Sequence, residues 1–289
     1  MDLNNPINLS INTLDHKLIH GPLKIQVTNA CRRLEEQSQR NDLLSQVLFV
    51  MLKSADSNYD AVRNLVLSSA TFGTAAMIIC RSTMDLVFSV CLILSDPQQY
   101  LYTYLKSGWR EQFEEYKLLC QEDVNLANSD WIKSFKEYLE FHSKIAGLSK
   151  DEKDNVKTIP YFPTPTQILY GTKRKAYLTD LEDDTKQFLN KLNEGYYSGI
   201  LSKIGHYSES GIAWQAGPLL SEEYPDVMKQ LHISQPIAIS IMILLCLLSE
   251  ISIYFKWDNS SKLKELWYYM ALSIPLQKQL YEIKYQKQL

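Results

Sequence analysis

Arg81 and Asp85 lie four residues apart within the apolar stretch from Ala75 to Leu94. On a helix, residues four apart share one face, so the guanidinium and the carboxylate can pair while their apolar neighbours are buried. Glu250 interrupts a second apolar stretch, Ile237 to Phe255. Because an unpaired buried charge is costly, we expect Arg81 to pair with both carboxylates between two adjacent helices.

Ser202 and His206 form the second place where chemistry is conceivable, with Ser208 just beyond them. A serine hydroxyl next to an imidazole can act as a nucleophile and its base. A hydrogen-bonded core pair or a helix cap would use the same spacing, and we favour that structural interpretation. We also expect His206 to lie near Arg81, where a low dielectric would shift the pKa values of the cluster.

The remaining histidines and the cysteines show no ligand spacing, so we predict neither a metal site nor a cofactor. The five cysteines read as buried free thiols of a reducing compartment. The first residues of the chain lack the basic and apolar regions of a secretory signal, which favours the cytoplasm. The histidines outside the candidate site are His16, His20, His142 and His232, and the cysteines are Cys31, Cys80, Cys91, Cys120 and Cys246.

Two motifs give the chain a family resemblance over roughly residues 60 to 255. It resembles a largely bacterial family of all-helical proteins of unknown function that carry Arg-Ser-x-x-Glu and Ser-x-x-x-His-Pro-Ser. Two positions differ, because Asp85 stands in place of the usual glutamate and Tyr207 in place of the proline. The resembling residues are Arg81-Ser-x-x-Asp85, the Asp96-Pro97 helix start, Tyr197 and Ser202-x-x-x-His206-x-Ser208, of which Tyr197, Ser202 and Ser208 are candidate binding residues.

That family is distantly similar to the HEPN proteins, helical bundles of toxin–antitoxin and phage-defence systems. Some HEPN proteins are metal-independent ribonucleases that use an Arg-x(4–6)-His motif. To complete this motif before His206, an arginine would have to stand at Gly199, Ile200 or Leu201. Lys203 is the nearest base, so these residues do not support ribonuclease chemistry by that route.

The composition favours helices. The 289 residues include only ten glycines and ten prolines, and 45% are hydrophobic, which supports a sizeable core. We predict one all-α domain over residues 1–289, a multi-helix bundle in which helices at about 75–94 and 237–255 are central and adjacent.

Helix signals divide the chain further. Pro22 opens a helical arm, residues 22–56, that packs on the bundle. Three prolines between positions 160 and 165 impose an extended excursion over residues 159–172. The second apolar helix is expected to start at Ser234–Pro236, and one last helix to run from Leu263 to about Lys287.

Charge limits the partners. A net charge of −3 provides no general field for a polyanion, so nucleic-acid binding would need a local patch. The two candidate patches, 173–175 and the lysines at 278, 284 and 287, read as solvated surface. We expect a protein partner or a second copy of this chain instead.

Residues 237–255 are apolar enough to raise the possibility of a membrane span. Glu250 would be costly in a bilayer interior, so we favour a helix buried in a soluble bundle.

The sequence leads to three hypotheses about function. The first is a cytoplasmic helical interaction or sensor module, in stress response or phage defence. The second is a hydrolase or nuclease with His206 as acid or base beside Arg81, and the third is membrane attachment through 237–255.

Overall fold

The structure, a computed structural model, describes residues 16–122, 129–173, 175–205, 216, 219 and 225–285. Within these ranges the regular structure is helical and no strand occurs. A π-helix, called here the π segment, spans Asn193–Leu201. The α-helices are α1 His16–Ser38, α2 Leu43–Ser68, α3 Gly73–Ser95, α4 Pro97–Glu122, α5 Asp130–Ile145, α6 Lys150–Asp154, α7 Pro165–Tyr170, α8 Asp183–Leu192, α9 Ser202–Gly205, α10 Asp226–Tyr254, α11 Ser260–Ser273 and α12 Pro275–Tyr285.

The two apolar helices α3 and α10 pack against each other at the centre of the bundle, as predicted. They run parallel, because Gly73 lies against His232 and the Cys80 thiol, farther along α3, donates to the Pro236 carbonyl at 3.4 Å. Pro236 has no N–H to bond the carbonyl of His232, four residues before it. That same carbonyl faces Gly73, so the proline and the glycine together permit the close approach of the two helices.

Helices α1 and α2 complete the centre. They are antiparallel to each other, since His20 bonds the Tyr59 hydroxyl at 2.7 Å while Lys24 forms ion pairs with Asp56 and Asp60. Side chains of both helices belong to the same apolar core as α3 and α10. A smaller core lies between α4 and α5, where the Trp109 indole donates to a backbone carbonyl of α5.

The segment predicted as an N-terminal arm, residues 22–56, contains parts of two helices. The first helix already begins at His16 and ends at Ser38, with Pro22 near its start. A turn follows, in which Asn41 has a positive φ of 62° and the Asp42 carboxylate caps α2. Asn and Asp favour such turns and caps, and they fold the segment into two antiparallel helices.

Prolines stand at the other places where the observed helix boundaries differ from the predicted ones. α10 begins at Asp226, and Pro236 lies inside it instead of at its start. The predicted last helix is divided into α11 and α12. Pro275 interrupts it, because proline cannot continue a helix, and is the first residue of α12. The residues predicted as an extended excursion, 159–172, include the short helix α7, because Thr164 caps it and Pro165 is its first residue.

By length and composition alone, two helices in the described part of the chain could cross a membrane. They span Ala70–Ser95 and Met228–Tyr254. In the bundle, 56% and 89% of their most apolar windows are buried inside the protein. Core helices of soluble proteins pass the same criterion, so these two helices are weak evidence for a membrane span.

The contact between Gly73 and α10 predicts the effect of a single methyl group. An ideal Cβ at Gly73 would lie 2.8 Å from the backbone carbonyl oxygen of His232, which cannot move aside cheaply. We expect Gly73→Ala to lower the free energy of unfolding in urea by about 1–3 kcal/mol.

Gly21→Ala in α1 is the matched control, because a Cβ there would meet nothing within 4 Å. Alanine is a better helix former than glycine, so the free energy of unfolding of this variant should be about 0.5–1 kcal/mol higher than that of the wild type. Equal stabilisation by both substitutions would contradict the close packing of α3 on α10.

Candidate functional site

Three of the candidate residues meet at one place, called here the Arg81 cluster: Arg81, Asp85 and Tyr197. Arg81 Nη1 donates to Asp85 Oδ1 at 2.8 Å along one face of α3. The Arg81 guanidinium carbon lies 3.8 Å from the centre of the Tyr197 ring, which is a close cation–π contact. The Phe88 ring also contacts Tyr197 edge-on, with the two ring centres 5.3 Å apart.

Tyr197 reaches α3 from the π segment. Ser198 Oγ donates to the carbonyl of Asn193, five residues earlier, at 2.9 Å. The neighbouring rings of Tyr196 and Tyr197 are both buried, with Tyr196 accepting a bond from Gln277 on α12. The π geometry therefore directs two successive tyrosines into different contacts, and π-helical turns of this kind often occur at functional sites.

The cluster lies at the edge of the core. The side chains of Arg81 and Asp85 are 22% and 41% exposed. Burial raises the pKa of Asp85 above its usual value, while the Arg81 charge and the Tyr197 hydroxyl act in the opposite direction. Burial, reinforced by the nearby Asp85 charge, also raises the pKa of Tyr197. Asp85 therefore takes up a proton more readily than a solvated aspartate does.

This arrangement is suited to binding an anion. A guanidinium carries five N–H donors in one plane, and its fork matches a carboxylate or a phosphate. The Tyr197 ring lies against the Arg81 guanidinium and restricts the freedom of that side chain. In the protein, the Asp85 carboxylate accepts a hydrogen bond from one of the Arg81 donors and is the anion that Arg81 binds.

The other serine and histidine candidates are only partly described. Ser202 begins α9, is half-buried, and belongs to a helix that packs against α3. His206 and Ser208 lie outside the described residues. The Ser202–His206 pair and the expected proximity of His206 to Arg81 therefore stay predictions.

The predicted pairing of Glu250 with Arg81 is wrong. Glu250 forms its ion pair with Lys284 on α12, and both side chains are about 10% exposed. The parallel packing explains the difference. Cys80 on α3 lies at the level of Pro236 on α10, and Glu250 is 14 residues farther along, about 21 Å at the rise of an α-helix.

Two lysines that the sequence placed on a solvated surface have partners in the structure. Lys284 is buried against Glu250. Lys175 donates to the Tyr100 hydroxyl at 2.7 Å and forms an ion pair with Asp180 at 3.1 Å. Its ammonium also lies 5.2 Å from the centre of the Tyr177 ring. The Lys284–Glu250 and Lys175–Tyr100 contacts have no local sequence signal, because each joins segments that are distant in the chain.

Within the described part of the chain, no group of three or more His, Cys, Asp or Glu side chains could hold a metal ion. The described geometry of the Arg81 cluster offers the recognition of a negatively charged group.

Comparisons with known proteins yield no relative of this chain. No family model matches it, and neither curated proteins nor solved structures give a significant match. The resemblance carried by the motifs at Arg81 and Ser202 therefore stays an expectation.

The buried pair of Glu250 and Lys284 predicts a large cost when one partner is removed. Lys284→Met leaves the Glu250 carboxylate buried without its cation, and we expect a loss of about 3–5 kcal/mol in the free energy of unfolding. Combining it with Glu250→Gln should restore most of that loss. Chemical denaturation of the single and double variants measures both effects.

The exposed pair of Arg32 and Glu36 on α1 provides the control, with side chains 62% and 57% exposed. Arg32→Met should cost less than about 1 kcal/mol, because water screens such a pair. If Lys284→Met costs no more than Arg32→Met, the buried pair is not formed as described.

Proposed function

We propose that this protein is a cytoplasmic helical sensor or interaction module that binds an anionic group at Arg81. The observation that carries the proposal is the 3.8 Å stack of the Arg81 guanidinium on Tyr197 at a partly exposed position. An arginine fixed on an aromatic ring loses little conformational entropy on binding, so it is prepared to receive a phosphate or carboxylate group.

Asp85 gives the proposed site its sensing property. While ionised, it neutralises Arg81 and repels an incoming anion; once protonated, it releases the guanidinium. Burial raises the pKa of Asp85, so protonation becomes accessible at a higher pH than for a solvated aspartate. The affinity for an anion should therefore rise as the pH falls through the pKa of Asp85, since an anion at Arg81 and a proton on Asp85 favour each other.

Tyr197 links this site to the rest of the bundle. It belongs to the π segment, which is followed directly by α9 against α3. Movement of the Arg81 side chain towards a ligand would weaken its stack on Tyr197 and thereby change the contact between α3 and the π segment. This is the step by which binding would be transmitted to a partner surface.

The proposed cytoplasmic location is supported by the cysteines. Each of the five is a free thiol, and four of them are buried. Reducing compartments preserve such thiols. A role in stress response or phage defence stays a prediction from the family resemblance. The hydrolase or nuclease hypothesis depends on His206, and membrane attachment depends on the length and composition of α10.

Sulfate is the probe for the anion site, compared at neutral pH and at a lower, mildly acidic pH, because its charge stays constant while the pH falls towards the pKa of Asp85, which burial raises. We expect sulfate to raise the Tm of the wild type, and to do so more strongly at the lower pH. Arg81→Met should abolish the specific effect, and Arg81→Lys should weaken it, because an ammonium lacks the planar fork. Differential scanning fluorimetry at fixed ionic strength measures these shifts.

Asp85→Asn is the most informative variant. It removes the competing carboxylate, so sulfate should bind more tightly than to the wild type and with little dependence on pH. The general stabilising effect of sulfate is common to all variants and cancels in the comparison. If the sulfate shift is the same in the wild type, Arg81→Met and Asp85→Asn, the Arg81 cluster does not bind anions.

A further inference from the structure

A separate pocket of about 300 Å³ opens at the end of the bundle where α3 and α10 terminate. Ser95 is the last residue of α3 and Tyr254 the last residue of α10, and both line it. Its volume lies at the lower end of the range for ligand sites in proteins. The pocket is therefore of a size for a small molecule, and it does not involve Arg81.

The lining of the pocket is acidic, and one of its carboxylates, that of Glu182, has no ion pair among the described residues. Three carboxylates line the pocket, those of Asp180, Glu182 and Glu250, and no basic side chain is among the lining residues of the described chain. The carboxyl ends of two long parallel helices, α3 and α10, also carry partial negative charge. The opposing positive end of α8 is offset by Asp183 and Asp184 in its first turn.

Two ion pairs within the protein show that these carboxylates bind ammonium groups. The ammonium of Lys284 pairs with Glu250, and that of Lys175 pairs with Asp180, both from outside the lining. The third carboxylate, Glu182, is exposed, and the described residues provide it with no ion pair. It stands at the N-cap position of α8 without a capping bond from its side chain, so it is free to bind a cation from solution.

The rest of the lining is suited to a hydrocarbon chain. Leu94, Leu181 and Ile253 supply apolar surface, and the hydroxyls of Thr185 and Tyr254 stand among them. A bare metal ion would gain nothing from this apolar surface, whereas an alkylammonium would bury its methylene groups there. We infer that this pocket binds a small aliphatic diamine or polyamine, with one ammonium group at Glu182.

Isothermal titration calorimetry of the full chain with putrescine, cadaverine and spermidine tests this inference. We expect saturable binding of one molecule per chain. Glu182→Gln should weaken it by up to about fivefold, the range of a solvated ion pair. Ile253→Trp should block the pocket without a change of charge, and its folding is favoured because Ile253 is 54% exposed.

Glu137→Gln on α5 is the matched control, since it removes the same charge from an exposed position outside the lining. It should leave amine binding unchanged. The inference is overturned if none of the three amines binds. It is equally overturned if Glu137→Gln weakens binding as much as Glu182→Gln, or if Mg²⁺ at matched ionic strength displaces spermidine, since both results indicate general attraction to a negative protein.

Discussion

The parallel packing of α3 on α10 is the constraint on which the rest of the structure depends. It requires the backbone of Gly73 to approach the His232 carbonyl, and Pro236 leaves that carbonyl without its usual intrahelical donor. Once this register is set, every charged residue of the two helices has a fixed level in the bundle. Arg81 and Glu250 then lie at different levels, and each needs its own partner.

Those partners are supplied by the segments that surround the central helices. The π segment brings Tyr197 to Arg81, and α12 brings Lys284 to Glu250. The Glu250–Lys284 pair and the Arg81 cluster have different roles because they differ in burial. The Glu250 pair is about 10% exposed, so it is a structural element, whereas the Arg81 cluster remains open to solvent on one side. The proposed anion site is therefore placed at the cluster that water and ligands can reach.

Much of the helical architecture and part of the site could be predicted from sequence. The spacing of Arg81 and Asp85 sufficed for their pairing, because both lie on one helix and no long-range information is needed. The pairing of Glu250 could not be predicted, since it depends on the register between two helices. Only the family resemblance indicates Tyr197 as a candidate binding residue. Its contact with Arg81 requires the π geometry of residues 193–201, which apolar spacing does not reveal.

The central claim is that Arg81 and Tyr197 interact directly and join α3 to the π segment. A double-mutant cycle with Arg81→Met and Tyr197→Leu, measured by urea unfolding, isolates this interaction from the other contacts of both side chains. The stacked geometry predicts a favourable coupling free energy of about 1–2 kcal/mol at this partly desolvated position. Additivity of the two substitutions within about 0.3 kcal/mol would contradict the account.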